Sequence, residues 1–287
     1  MGKKAVTVTA DPPLHTAEPF GTFRARWYER LVWAASDWSP LPASIRQRLR
    51  RRFARSVTGP FDVAEEGMNL RLYPAENYCD RVLFARRTLP EAAEHHALVP
   101  LLKPGMTFVD IGANVGSYSC FVGTRCGGDV TILAFEPHPR TFQKLLFNLA
   151  ANQLPTGDVR NCGVGPQAME LDLWSDGGSN IGHTSMLKEG TANAAVSVRV
   201  PVVRLDEALA NAGVAAIDLL KIDIEGFEDR ALAPFFDAAD PALYPAHILI
   251  EIAHAHLWER DLMVMLQERG YWEIFVTPEN RLLSLTR

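Results

Sequence analysis

The strongest constraint on the fold is an apolar run that ends in a glycine-rich turn. Residues 106–111 are mainly apolar and include Asp110, and a helical pattern begins near Ser117. Between them lie the small turn residues Gly112, Ala113, Asn114 and Gly116. A strand, a tight turn and a helix N-terminus in this order let backbone N–H groups approach a bound molecule closely. The segment therefore predicts a ligand site at the edge of a parallel α/β sheet.

A second apolar run, 130–135, is followed by Glu136 and Pro137. An acid at the tip of the second strand of such a sheet can accept hydrogen bonds from both hydroxyls of a ribose. Together the two segments predict a nucleoside-binding site.

The turn departs from the glycine pattern of dinucleotide-binding sheets. That pattern, G-x-G-x-x-G, would place glycines at 112, 114 and 117, but Asn114 and Ser117 occupy the last two positions. Asp110 before the turn would repel a diphosphate and attract a cation such as an ammonium or sulfonium group. S-adenosylmethionine carries a ribose and both of these cations, so it is the favoured ligand. The alternative is an ordinary strand–turn–helix in which Asn114 caps the helix.

Strand and helix patterns alternate from residue 106 onwards. The predicted sheet strands are 106–111, 131–136, about 158–164, 217–223, 247–252, 271–276 and 281–286. Two further strands, 169–174 and 196–203, flank a Gly/Ser/Asn-rich loop and break the alternation. They predict an insertion that lies over the sheet.

Acids stand at four of the predicted strand ends: Asp110, Glu136, Asp223 and Glu251. A buried acid costs free energy unless it is paired, and ligands of open α/β sheets bind at the carboxyl ends of the strands. We therefore expect these acids at one site. The run 217–220 before Asp223 is too apolar for an edge strand, which predicts a central strand.

Four segments resemble the FkbM-type methyltransferases: 108–116, 134–137, 148–152 and 219–228. The resemblance covers about residues 80–285. It implies an α/β, class I Rossmann-like methyltransferase with a seven-stranded, mostly parallel sheet whose last strand is antiparallel. It implies a methyltransferase domain at 80–287, with the insertion at about 165–203, after an N-terminal helical extension at 1–79. The implied activity is methylation, with S-adenosylmethionine, of hydroxyl oxygens on sugars, polyketides or other natural products.

The resemblance also implies roles for individual residues. The methionine part of the donor would lie against Asp110, Gly112, Ala113, Asn114 and Gly116. The ribose would lie against Glu136 and Pro137, and the adenine against Asn161 and Cys162. Asp223 and Glu225 would lie beside the transferring methyl, with Lys221 in support. The segment 179–185 would form part of the acceptor wall.

A sugar hydroxyl is a poor nucleophile, so a general base could accelerate transfer by about 10²–10⁴-fold. The candidates are Asp223, Glu251 and His254, and His256 lies two residues further on. The same three candidates could hold a divalent metal, but nothing in their spacing requires one, and no metal ligand is assigned.

The N-terminal extension carries most of the positive charge. Residues 1–60 hold eleven Lys and Arg against four Asp and Glu, a net charge of +7 that leaves −12 for the rest of a chain whose total is −5. Ile45, Leu49 and Phe53 recur every fourth residue and predict a basic amphipathic helix over 43–55. It could meet an anionic membrane surface or an acidic partner, or it could pack on the domain with solvated arginines. No nucleic-acid partner is predicted, because the basic residues do not alternate with aromatic ones.

The extension is expected to start with a disordered or loosely attached stretch at 1–20. A first helix from about residue 20 that Pro40 and Pro42 break, a hairpin over 61–72 and a helix over 89–102 are the other expected elements. No apolar run reaches the eighteen or so residues of a membrane span, the N-terminus does not resemble a secretory signal, and the four cysteines form no Cys-x-x-Cys motif. A cytoplasmic protein is therefore expected.

The acceptor is expected to be a small molecule or a glycan, and no oligomeric state is predicted. The alternatives are an NAD-dependent oxidoreductase, which the turn disfavours, and a non-catalytic adaptor that uses the basic helix.

Overall fold

The computed structural model describes residues 13–37, 40–175, 184–190 and 196–286. The N-terminal part contains α1 (Trp27–Asp37), α2 (Ala43–Phe53), β1 (Phe61–Glu65), β2 (Met68–Leu72), α3 (Tyr78–Arg86) and α4 (Ala92–Leu98). The remainder contains β3 (Met106–Ile111), α5 (Ser117–Arg125), β4 (Val130–Phe135), α6 (Pro139–Ala151), β5 (Val159–Arg160), β6 (Gly163–Val164), β7 (Met169–Ser175), β8 (Thr184–Ser185), β9 (Val196–Val203), α7 (Leu205–Asn211), β10 (Leu219–Ile222), α8 (Glu228–Ala238), β11 (His247–Glu251), α9 (Leu262–Glu268), β12 (Tyr271–Val276) and β13 (Asn280–Leu285). None of the helices in these described ranges has the length and apolar character that a membrane crossing requires.

The main sheet has seven strands in the order β12-β13-β11-β10-β3-β4-β5. The strands β11, β10, β3, β4 and β5 pair in parallel, and β13 is antiparallel to both of its neighbours. This confirms the predicted seven-stranded, mostly parallel sheet with an antiparallel last strand. The strand β10 lies between β3 and β11, which confirms that it is central. The strand order reverses between β3 and β10, the point where ligands bind in such sheets.

The core lies on both faces of this sheet. Neighbouring residues of β3 point to opposite faces, with Phe108 in one apolar cluster and Val109 in the other. Helices α8 and α9 contribute Leu232 and Leu266 to one cluster, and the other contains Leu145 of α6. Burial on both faces explains why the central strands are continuous apolar runs rather than alternating ones.

A second sheet, in the order β6-β9-β7-β8, holds the insertion. The strands β7 and β9 pair antiparallel along their length, which confirms the two predicted insertion strands. The strand predicted at 158–164 is divided in the structure. Its first part, β5, pairs with β4, and its second part, β6, pairs with β9. The chain changes sheets at Asn161, where the Asn161 side-chain amide donates to the Glu136 and Pro137 carbonyl oxygens.

In the N-terminal part, Arg71 of β2 holds the segment 15–19 against the β1–β2 hairpin. The pairing of β1 with β2 confirms the predicted hairpin. The buried guanidinium of Arg71 donates to both carboxylate oxygens of Asp62, at 2.7 and 2.9 Å. It also donates to the backbone carbonyl oxygens of Glu18 and Pro19, at 2.8 and 2.9 Å. The Phe147 ring lies 4.0 Å from the same guanidinium. Charge-assisted bonds of this kind attach the segment firmly, so the expectation of a disordered or loosely attached start is wrong for residues 15–19.

The apolar spacing predicted that the first helix begins at residue 20, but in the structure it begins at Trp27. The backbone N–H groups of Gly21 and Phe23 donate to an Asp62 carboxylate oxygen, at 2.7 and 3.0 Å. These bonds hold the segment before Trp27 in a turn, so it is unable to continue the helix.

The helix predicted over 89–102 is shorter, because α4 ends at Leu98 and a single 3-10 turn that contains Pro100 follows it. The helix α3 was not predicted. Its N-cap is Asn77, whose side chain accepts a hydrogen bond from the Asp80 backbone N–H.

Candidate active site

A cleft opens at the carboxyl ends of β3, β4 and β10. Six of the predicted site residues line it: Gly112, Asn114, Glu136, Pro137, Asp223 and Glu225. Thr184, Met186 and Ile224 complete the lining.

The turn after β3 is shaped by backbone contacts that exclude a side chain. Gly112 has a φ of +79°, and a Cβ atom there would lie 2.0 Å from the Asp223 carbonyl oxygen. Asn114 also has a positive φ, of 51°, and its backbone N–H donates to the Glu136 carboxylate at 2.9 Å. The turn thus touches the tips of β4 and β10 at once. The N-cap of α5 is Gly116, so the alternative in which Asn114 caps this helix does not apply.

Ala113 and Gly116 lie in the same turn but pack inward. Ala113 is buried, and a Cβ atom on Gly116 would lie 2.7 Å from the Leu145 side chain. These two predicted residues therefore set the path of the turn rather than line the cleft.

Lys221 of β10 supports the turn from below. Its ammonium donates to the Gly112 carbonyl oxygen at 2.8 Å and lies 3.8 Å from Asp110 and 3.7 Å from Asp223. Burial by itself lowers the pKa of Lys221, but the charges of Asp223 and Asp110 outweigh burial and raise that pKa. Lys221 is therefore a permanent cation between two strand tips.

Asp110 is fully buried beneath the turn. Its carboxylate accepts a hydrogen bond from the Ser119 hydroxyl at 2.6 Å, and burial raises the pKa of Asp110. The sequence suggested a ligand cation beside Asp110, and in the structure the Lys221 ammonium lies there. Asp110 does not line the cleft formed by the described residues.

Glu136 presents its carboxylate to the cleft from the tip of β4. The carboxylate accepts hydrogen bonds from the backbone N–H groups of Asn114 and His138, and burial nevertheless raises the pKa of Glu136 to about 7. Behind it, the Asn161 amide holds the Glu136 and Pro137 carbonyls at 2.8 and 2.9 Å. Cys162 is buried beside this strand tip, and burial raises its pKa to about 11.

Two glutamates and a histidine meet on the other side of the cleft. The Nδ1 atom of His254 lies 3.2 Å from a Glu225 carboxylate oxygen and 3.6 Å from one of Glu251. Burial, followed by repulsion from Asp223, raises the pKa values of Glu225 and Glu251. This grouping explains why His254, in the turn after β11, is not a solitary surface histidine.

The sequence suggested Asp223, Glu251 and His254 as the alternative metal site, and the structure corrects one member. Among the described residues, one ligand atom each from Glu225, Glu251 and His254 lies within 4.8 Å of the others, which is close enough for a divalent cation. Glu225 takes the place of Asp223 because the chain after β10 turns through a left-handed conformation at Glu225, with a φ of 56°.

The insertion holds this loop in place. The Ser185 hydroxyl donates to the Glu225 carbonyl oxygen at 2.9 Å, and the Glu228 carboxylate accepts from the Ile224 and Gly226 N–H groups. Of the predicted acceptor wall, Thr184 lines the cleft, and Ser185 is bonded to the loop that contains Glu225. The residues 179–183 of that wall lie outside the described residues.

Three residues near the site were not predicted. The Tyr118 hydroxyl donates to the Glu91 carboxylate at 2.7 Å, and the pKa of Glu91 is raised by burial and by the charge of Asp223. The Asn77 amide donates to the Asn114 side-chain oxygen at 2.8 Å. Glu91 and Asn77 precede the alternating strands and helices, where no local pattern indicates a site. Tyr118 lies at the start of α5, and its proximity to the turn was the one available signal.

The family model of the FkbM methyltransferase domain matches residues 110–272, from Asp110 in β3 to Trp272 at the start of β12. The chain belongs to the FkbM methyltransferase family. Membership makes it an S-adenosylmethionine-dependent methyltransferase and confirms the resemblance seen in the sequence. It decides against the NAD-dependent oxidoreductase and against a non-catalytic adaptor.

Two relatives of this FkbM-family chain illustrate the range of the family. The chain is 32% identical over 196 residues to the 31-O-demethyl-FK506 methyltransferase FkbM of Streptomyces tacrolimicus, across 59% of this chain and 74% of that protein. It is 27% identical over 159 residues to the hexuronic acid methyltransferase AglP of Haloferax volcanii, across 55% of this chain and 60% of that protein. Among solved structures, the methyltransferase FkbM of Methylobacillus flagellatus KT aligns with a TM-score of 0.44 at 16% identity, over 90% of this chain and 58% of that one.

Proposed function

We propose that this protein transfers a methyl group from S-adenosylmethionine to a hydroxyl oxygen of a saccharide or of a glycosylated or other secondary metabolite. The observation that carries the proposal is the cleft in which the Glu136 and Asp223 side chains meet the turn at Gly112. The names of the two relatives, one a hexuronic acid methyltransferase and one a 31-O-demethyl-FK506 methyltransferase, support an acceptor of this class.

The chemistry of the cleft suits this donor. A carboxylate such as Glu136 can accept hydrogen bonds from both ribose hydroxyls, and two donated bonds would favour its ionised form. The negative charge of Asp223 suits the ammonium and sulfonium groups, and Gly112 and Asn114 offer backbone next to the methionine part. Asn161 and Cys162 would lie towards the adenine. Asp110, Ala113 and Gly116 would act indirectly by shaping the turn.

When bound, S-adenosylmethionine supplies a methyl carbon that its sulfonium already activates. The protein must then orient an acceptor hydroxyl, which supplies roughly 7–11 kcal/mol in favourable cases, and take up its proton. Asp223 and Glu225 would position the acceptor, and Lys221 would position Asp223.

Of the predicted bases, His254 has the most suitable surroundings. Its Nδ1 atom faces Glu225 and Glu251, so its Nε2 atom is the one that would receive the hydroxyl proton. The positive charge on His254 would then favour the ionised forms of the two glutamates, and these carboxylates would stabilise the imidazolium. In this arrangement Glu251 is a positioning residue, and no metal is required.

The direct test is calorimetric titration of the purified protein with S-adenosylhomocysteine. We expect Glu136→Ala to weaken binding by about 10- to 100-fold, since bonds to a charged group contribute about 1.5–3 kcal/mol. Glu170→Ala removes an exposed acid far from the cleft, which pairs with Arg199 at 3.4 Å, and should leave binding unchanged. Absence of binding, or equal effects of the two substitutions, would contradict the donor site.

The acceptor class is tested separately. Saccharides and glycosylated metabolites from a strain lacking this protein would be incubated with enzyme and S-adenosylmethionine bearing an isotopically labelled methyl. Label recovered on a hydroxyl oxygen supports the proposal, and label recovered on carbon or nitrogen overturns it.

A further inference from the structure

We propose that the N-terminal helices α1 and α2 form a docking surface for an anionic lipid bilayer. The central feature is an arginine stripe, defined as Arg48, Arg51, Arg52 and Arg55. All four side chains are exposed. Their spacing of three, four and seven residues places them on one face of a helical segment. Within the described parts of the chain, none of the four forms an ion pair with an acid. The stripe is therefore a concentrated and uncompensated positive surface.

The stripe is not needed to hold α2 on the protein. A different arginine, Arg50, does that by pairing with the buried Asp37 of α1 at 2.6 Å. The helix α2 contains no acid in its first turn and no fully buried residue. Its outward arginines are therefore free to meet a partner without loss of packing.

Large apolar side chains are exposed on the same two helices. On α1, Trp27 is 75% exposed, Leu31 is 58% exposed and Tyr28 is 40% exposed. Ile45 of α2 is 42% exposed and lies three residues before Arg48. Helices that lie on a membrane combine such aromatic and aliphatic groups with basic residues, because the apolar groups enter the headgroup boundary while the basic ones meet anionic lipids.

Charge favours an anionic surface and sets the orientation. Residues 1–60 carry a net charge of +7, whereas the rest of the chain carries −12. An anionic bilayer would attract the N-terminal helices and repel the domain that holds the cleft. A nucleic acid would also attract the arginines, but exposed aliphatic groups such as Leu31 and Ile45 would gain nothing from it. The combination therefore favours a lipid surface.

The test measures co-sedimentation with vesicles. We expect the wild-type protein to bind vesicles of phosphatidylcholine mixed with phosphatidylserine, to bind phosphatidylcholine alone weakly, and to be released by added salt. The triple variant R48Q/R51Q/R52Q should lose affinity by about a hundredfold, since each basic residue near such a surface contributes about a factor of five. Leu31→Ala should lose about tenfold while leaving the charge intact.

The matched control is K103Q/R199Q/R260Q, which removes the same charge from the other part of the chain. These three side chains are exposed and pair with Asp218, Glu170 and Asp237. Such surface pairs contribute little to stability, and this variant should bind anionic vesicles like the wild type. Unchanged S-adenosylhomocysteine binding in both triple variants shows that they are folded. The proposal is overturned if wild-type protein ignores anionic vesicles, if the two triple variants bind alike, or if single-stranded RNA competes the protein off the vesicles.

Discussion

Lys221 donates a hydrogen bond from its ammonium to the carbonyl oxygen of Gly112, at 2.8 Å, and so joins β10 to the turn after β3. The same ammonium lies between the carboxylates of Asp110 and Asp223. A single buried cation thereby fixes the turn on one side of the cleft and the acid on the other.

We expect Lys221→Met to lower the free energy of unfolding by about 3–5 kcal/mol, because it leaves the Asp110 carboxylate buried without its cation. Urea denaturation measures this change. The double variant Asp110→Asn/Lys221→Met should recover part of the loss, since it removes both charges. If the loss in the double variant equals the sum of the losses in Lys221→Met and Asp110→Asn measured separately, the two residues are not coupled and this account of the turn fails.

Gly112→Ala should slow methyl transfer by about a hundredfold, because the new Cβ atom would displace the turn from Asp223 by about an ångström or more. Gly213→Ala is the matched control, since Gly213 also has a positive φ, of 66°, but nothing lies within 4 Å of its would-be Cβ. The control should lose about 1–2 kcal/mol of stability and keep its activity. Equal activities of the two variants would show that backbone strain, and not the contact with Asp223, matters at Gly112.

Glu136 should make stability fall with rising pH across a defined window. Burial raises its pKa from 4.5 to about 7, so between these values the folded state holds a proton that the unfolded state has released. Extra protons in the folded state mean that the free energy of unfolding decreases as pH rises through the window. Glu136→Gln should remove this contribution, as urea denaturation at several pH values would show.

S-adenosylhomocysteine affinity should show the opposite trend, increasing as pH rises through about 7, because the ionised carboxylate of Glu136 is the better acceptor. A wild-type affinity that does not change with pH would contradict this role.

His254→Gln should lower kcat by about 10²–10⁴-fold while leaving S-adenosylhomocysteine binding unchanged, because it removes the proton acceptor alone. His256→Gln is the control, since the exposed His256 ring lies 6.2 Å from that of His254. Turnover should also survive treatment with EDTA. Loss of turnover on chelation, restored by a divalent cation, would instead assign Glu225, Glu251 and His254 to a metal.

Asn77→Ala should weaken S-adenosylhomocysteine binding, because it removes the hydrogen bond to Asn114 at the turn. Asp261→Ala removes a comparable N-cap, at α9, with no contact to the turn. Each variant should lose about 1 kcal/mol of stability in thermal unfolding. Binding should fall only for Asn77→Ala. An equal change in binding for both variants would show that the N-terminal extension does not contribute to the donor site.

The sheet was predictable because its signals are local. The apolar runs before Asp110, Glu136 and Asp223 each end in an acid, and parallel strands bring such ends to one edge. Gly112 was equally readable, since a tight turn at a strand tip demands a residue that tolerates a positive φ.

The parts of the site that the sequence did not indicate depend on contacts between distant segments. The sequence indicated Lys221 as a supporting residue of Asp223 and Glu225, but its bond to Gly112 depends on the fold and was not predicted. Glu91 and Asn77 reach the site from elements that precede the sheet. Glu225 rather than Asp223 lies beside His254, because the backbone of Glu225 adopts a left-handed conformation. The presence of a glutamate does not predict that conformation.

The pairing of β7 with β8 has a consequence for how this family could diversify. Trp174 pairs with Ser185 and Ser175 pairs with Thr184, so the residues that flank the segment 176–183 form a two-stranded stem. Ser185 anchors that stem to the loop at Glu225. We expect that evolution can lengthen, shorten or rewrite the segment without disturbing the donor half, as it does with hypervariable loops on a rigid scaffold. New acceptor preferences would then arise by exchanging one short stretch of chain.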